Sequence, residues 1–132
     1  MLSLHYGNAY QAFPGAHIVK NTQRIFDDCG VDIILGGHAH NAQPMARYDF
    51  RCPLTQQTKA GFVLFSFGDF VAYDIFNGCH LSVFLKLTLA KGFNTEGVKI
   101  CYIKNVEPTP VYANGVFKDK NARFTFLMLK VG

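Results

Sequence analysis

The stretch Gly30-Val31-Asp32-Ile33-Ile34-Leu35-Gly36-Gly37 constrains this chain more than any other. A continuous apolar run, broken only by Asp32 and bounded by glycines, suits a buried strand. The segment before it, Ala16 to Asp28, has helical spacing. Val19, Ile25, Phe26 and Cys29 can share one face, and Gly30 fits the C-terminal stop. Met1 to His5 reads as a short strand, and Tyr6 to Gly15 as a loop with Gly7, Asn8, Pro14 and Gly15 as turn residues. Strand, helix, strand in that order implies a crossover unit and a parallel pair.

Beyond Gly37 the character changes. Ala42 to Phe50 can form a strand, and Arg51 to Ala60 is a polar, exposed loop. Gly61 to Phe67 is a buried strand by its β-branched and aromatic content. Leu81, Val83, Leu85, Leu87 and Leu89 alternate with Ser82, Phe84, Lys86, Thr88 and Ala90, the clearest period-two signal in the chain. Lys91 to Gly97 reads as a turn, and Val98 to Ile103 and Arg123 to Lys130 as further strands. Pro108 and Pro110 are expected to force an extended, unpaired stretch between those strands. The first 70 or so residues therefore read as α/β and the remainder as antiparallel. The expected fold class is mixed α/β (α+β) with a β-rich end, in a single domain over residues 1–132.

For a chain of 132 residues, size scaling leaves roughly 6,900 Å² exposed of about 21,000 Å² in the unfolded chain. A real core is possible, and 49% apolar residues with 17% charged exclude a disordered chain. The net charge of +4 forms no basic stripe. Its densest stretch, Lys118, Lys120 and Arg123, is interrupted by Asp119 and reads as a solvated turn. No nucleic-acid partner is expected, only a weak preference for anionic ligands. There is no run of about 18 apolar residues to cross a membrane, and Met1 to His5 lacks the flanks of a signal peptide. Cys29, Cys52, Cys79 and Cys101 form no C-x-x-C pair. Free thiols, mostly buried, are expected, with one disulfide as the alternative.

The chemistry concentrates in Gly36-Gly37-His38-Ala39-His40-Asn41, directly after a buried strand. Ligands in open α/β sheets gather beyond the carboxyl ends of strands. Two glycines permit a tight turn that projects both imidazoles into one cleft. Neutral imidazole suits Zn, Mn or Fe; the competing reading is two solvent-exposed loop histidines. His5 also ends a strand, and a parallel neighbour would bring it to the same sheet edge as His38 and His40. Taken alone, it is equally a strand-end histidine bonded to backbone. Tyr6, Tyr10 and Phe13 can line a cleft or pack in the core. His17 and His80 read as surface or packing residues.

Three segments then occur in order: L-S-L-H-Y-G-N-A-Y-Q-A-F-P at 2–14, C-G-V-D-I-I-L-G-G-H-A-H-N-A-Q-P at 29–44, and F-S-F-G-D-F at 65–70. Together they resemble the bacterial capsule or poly-gamma-glutamate biosynthesis proteins of the CapA type, a branch of the calcineurin-like metallophosphoesterases. Glu107-Pro108-Thr109-Pro110-Val111-Tyr112 is similar to that family's late Pro-Thr-Trp segment. The resemblance covers most of the chain and implies the C-terminal half of a layered α-β-β-α phosphoesterase fold.

By this resemblance His5, His38 and His40 are metal ligands, with Asn41 and Gln43 supporting them. The metals implied are divalent Mn, Fe or Zn, two of them in a full-length protein. Ala39 stands where the family has Pro, and Asp69 where it has Asn. Asp69 can orient a histidine, shape the cleft beside Tyr6, or simply cap the turn after Gly68. The superfamily's earlier motifs, Asp-x-His, Gly-Asp and Gly-Asn-His-Glu, precede the position that His5 matches, and this sequence has no counterpart of them there. The chain thus looks like the C-terminal part of a longer protein, whose N-terminal portion would be its partner. The resemblance implies a phosphoester or anionic-polymer substrate and a place in the cell envelope or on its outer face. A non-catalytic binding or assembly module and a purely structural β-rich domain are the other readings. A sheet cut from its parent would expose edges and self-associate.

Overall fold

The computed structural model describes residues 1–71, 78–118 and 121–129. Its elements are β1 (Leu2–His5), α1 (Ala16–Cys29), β2 (Ile33–Gly37), β3 (Met45–Arg51), β4 (Thr58–Leu64), β5 (Leu81–Phe93), β6 (Lys99–Lys118) and β7 (Asn121–Met128). The fold is mixed α+β. One sheet has the order β1-β2-β4-β3, with β1, β2 and β4 parallel and β3 antiparallel at the edge. The other is antiparallel, β5-β6-β7.

α1 ends where the sequence says it should. Gly30 adopts the left-handed conformation (φ 66°), and its N–H donates to the Phe26 carbonyl at 3.0 Å. The buried face is Ile18, Thr22 and Phe26, spaced four apart. Val19 and Ile25 flank it, but Cys29, expected on that face, is exposed. Of the other thiols, Cys52 and Cys79 are buried and Cys101 is exposed, and none of the four forms a disulfide.

β2 and β4 read as continuous apolar runs because both of their faces are covered. Ile34, Val63 and Phe65 pack under Ile18 and Phe26 of the helix. Their neighbours Ile33, Phe62 and Leu64 point the other way, where Leu85, Leu87, Ile103 and Val106 of the second sheet cover them. The order of layers is helix, four-stranded sheet, three-stranded sheet. Gly61 lets the helix approach: a β-carbon there would come within 2.6 Å of the Phe26 ring.

Four local expectations are corrected. Gly36 and Gly37 belong to β2 and not to the turn after it. Gly36 is needed for close packing, since a β-carbon would collide with the Phe65 carbonyl and approach the Tyr6 ring to 2.6 Å. Thr58 to Ala60, expected in a loop, begin β4 and pair with β3. Pro108 and Pro110 lie inside β6, opposite Leu85 and Val83. The Pro110 carbonyl accepts from Leu129 N–H, on the side away from β5. Its missing donor therefore faces the end of β7, and Pro108 faces the same side where β7 does not pair. Proline is tolerated where no ladder bond is asked of its nitrogen. The turn after β5 is shorter than Lys91 to Gly97. Asn94 caps it by accepting from the N–H groups of Glu96 and Val98 at 3.0 and 2.8 Å. Of the basic stretch near 120, residues 119 and 120 lie outside the described residues, as does Lys130.

Phe26 is the anchor between helix and sheet and is wholly buried, whereas Phe93 is 73% exposed. Phe26→Ala should lower unfolding free energy by about 3–5 kcal/mol. Phe93→Ala should change it by less than about 0.5 kcal/mol. Urea unfolding of the two variants measures both.

Candidate metal centre

β1, β2 and β4 run parallel, so their carboxyl ends open on one edge of the sheet. His5 is the last residue of β1 and pairs with Gly37, the last residue of β2. Leu4 and Tyr6 turn to the helix side of the sheet, so strand alternation sends His5 to the other side, where it is exposed. His38 follows Gly37 directly and is also exposed. The His5 and His38 rings lie 4.5 Å apart, centroid to centroid, tilted by 55°. The rings of His38 and His40 are 6.2 Å apart. The three histidines expected to converge are thus brought to one edge.

The turn that carries them is strained. His38 and His40 have φ of 90° and 62°, and Tyr10 opposite them has φ of 62°. Non-glycine residues rarely enter this region, at a cost of about 1–3 kcal/mol each. Hydrogen bonds from both sides hold it. Tyr10 N–H donates to the Ala39 carbonyl at 2.7 Å, and Tyr6 N–H to the Gly37 carbonyl at 3.3 Å. Gln43 N–H donates to the Ser66 carbonyl at 3.0 Å. Ala39 itself is buried.

His40 is the most constrained of the three. Its ring stacks on Tyr10, with centroids 5.0 Å apart and planes 14° apart. Its Nδ1 lies 2.8 Å from Asp69 Oδ2. Gln43 is buried, and its amide donates to the Gln11 carbonyl at 2.8 Å, so it braces the 6–15 loop. Asn41 is buried beside Gly78. Tyr6 packs beneath Gly36 against the helix-side core. His17 is exposed on α1, and His80 meets Tyr112 edge to face. The stack of Tyr10 on His40 had no signal in the sequence, because it depends on two left-handed residues in separate loops.

A family model described as bacterial capsule synthesis protein matches residues 1–74. The chain belongs to this family. The matched region contains β1, α1, β2, β3, β4 and the whole histidine edge, whereas β5, β6 and β7 lie outside it. No curated protein and no solved structure matches the chain. No helix among the described residues is long and apolar enough to cross a membrane.

For a metal, the donor set fits in part. His5 and His38 are close enough to face one ion, and imidazole nitrogen suits Zn, Mn or Fe. Asp69, the carboxylate at this edge, is engaged by His40. Among the described residues no group of three or more His, Cys, Asp or Glu side chains converges as a complete coordination shell.

Burial raises the Tyr6 phenol above its ordinary pKa of 10.0, and the neighbouring Thr22 hydroxyl opposes this more weakly. A group whose pKa is raised by folding stabilises the fold below its ordinary value and ceases to as pH climbs through the raised one. Wild type should therefore lose stability as pH rises past about 10, and Tyr6→Phe should lose less. Urea midpoints across that range test this; equal losses would contradict it.

Proposed function

We propose that this edge binds divalent metal in a phosphoesterase-like site that serves capsule or poly-gamma-glutamate synthesis at the cell envelope. The observation that carries the reading is the meeting of His5, His38 and His40 at the carboxyl ends of parallel strands, on a strained turn braced from both sides. Backbone strain of this kind clusters at functional sites. His5 and His38 would hold one ion, and His40 would offer its Nε2. A bound metal pair would supply an activated water and a clamp for a phosphoryl group. The chain's own contribution is to orient the imidazoles and leave them accessible. The reading calls for carboxylate donors beyond those of this chain, from an N-terminal portion of the same protein, which would complete a calcineurin-like fold. Its substrate would be a phosphoester or an anionic polymer.

The surface supports a partner as well. The accessible area is 8832 Å², against roughly 6,900 Å² for a compact monomer of this size. Among the described residues β1 and β3 are open sheet edges, and Phe84, Leu89 and Phe93 are exposed on the second sheet. The isolated chain should therefore self-associate.

Native mass spectrometry with Mn²⁺ or Zn²⁺ tests both statements in one experiment. Wild type should bind metal, His38→Ala/His40→Ala should lose at least about 10-fold in affinity, and dimers should be present. Metal bound equally by both proteins would overturn the ligand assignment. Binding by neither would favour a non-catalytic binding or assembly module. Monomers at high concentration would overturn the association.

A further inference from the structure

We propose that Asp69 is a positioning residue for His40 and that the second sheet holds it there. This deepens the metal-site reading above and rests on it for its consequence in metal affinity. An ionised carboxylate can only accept hydrogen bonds. With Asp69 Oδ2 at 2.8 Å, His40 Nδ1 must carry the proton, and the lone pair then resides on Nε2. Neutral imidazole in water prefers the opposite tautomer, so the contact reverses an intrinsic preference. Carboxylates that fix a ligand histidine in this way also raise its basicity. The Tyr10 ring, nearly parallel to His40, fixes the plane in which Nε2 is presented.

Asp69 is in place because of residues that the family match does not reach. Gly68 has φ of 75°, and a β-carbon on it would lie 2.6 Å from the Leu81 carbonyl and 3.0 Å from Ala42 N. The first residues of β5 therefore press directly on the turn that carries Asp69. Val83 N–H donates to the Phe67 carbonyl at 2.9 Å, and Phe67 bridges to Ala42 beside the histidine turn. Gly68 N–H donates to the Ser66 hydroxyl at 3.2 Å, and Ser66 is wholly buried. The junction of the two sheets is thus also the mount of the His40 partner. This gives the antiparallel sheet a task at the site, from a distance, in addition to covering the core.

Asp69→Ala and Asp69→Asn separate positioning from bulk. The Asn carbonyl still accepts from Nδ1–H, whereas Ala offers nothing. The full chain, labelled with ¹⁵N, is examined by long-range imidazole NMR at a pH where His40 is neutral, and Zn²⁺ is titrated in parallel. Wild type and Asp69→Asn should show His40 protonated on Nδ1, and Asp69→Ala should move it to Nε2. Zn²⁺ affinity should fall by about 10–100-fold in Asp69→Ala and by less than about 10-fold in Asp69→Asn. An unchanged tautomer in Asp69→Ala, or a shift of equal size in both variants, would overturn the proposal. If wild type binds no Zn²⁺, the metal reading fails, while the tautomer still decides the role of Asp69.

Discussion

Coverage of β2 and β4 on both faces is the constraint on which the rest of this structure depends. Ile34 and Val63 must meet the helix, and Ile33, Phe62 and Leu64 must meet the second sheet. Parallel strands of this kind occur almost only where both faces are covered. Parallel strands also bring their carboxyl ends to one edge, so the loops that follow them are neighbours by construction. His5, the 38–44 turn and the 65–69 turn come together for that reason. Side chains placed there inherit the rigidity of the core beneath them.

The turn residues show how that rigidity is used. His38 and His40 occupy backbone conformations that glycine would take more readily. They are kept there by hydrogen bonds from the 6–15 loop and the 65–69 turn. The same bonds bring Tyr10 and Asp69 against His40. Strain, stacking and hydrogen bonding therefore fall on a single imidazole, while His5 and His38 stay exposed and paired. Membership of the capsule synthesis family rests on this same half of the chain.

Much of this was legible in the sequence, and the exceptions have physical reasons. Gly30 marked the helix end because a left-handed cap favours glycine. The 31–35 and 61–67 runs marked buried strands because apolar periodicity records burial, although the strands themselves span Ile33–Gly37 and Thr58–Leu64, and residues 65–67 lie beyond β4. Periodicity does not record which partner provides it, so the face of α1 was read with Cys29 in place of Ile18 and Thr22. Gly36 and Gly37 looked like a turn because local reading cannot see the Phe65 backbone that Gly36 must clear. Pro108 and Pro110 looked like a break because their cost depends on which side of the strand is paired. His5, His38 and His40 were legible as a group once β1 and β2 were parallel neighbours. The hydrogen bond from His40 to Asp69 was legible only as one option among several, since turn capping leaves the same local pattern.

The most direct test of the metal-binding edge is anomalous diffraction from crystals of this chain soaked in Zn²⁺ or Mn²⁺. The expected result is an anomalous peak within bonding distance of the His5 and His38 imidazoles. Absence of a peak there, in crystals where the histidine edge is free of neighbouring molecules, would contradict the proposal that this edge is a metal centre.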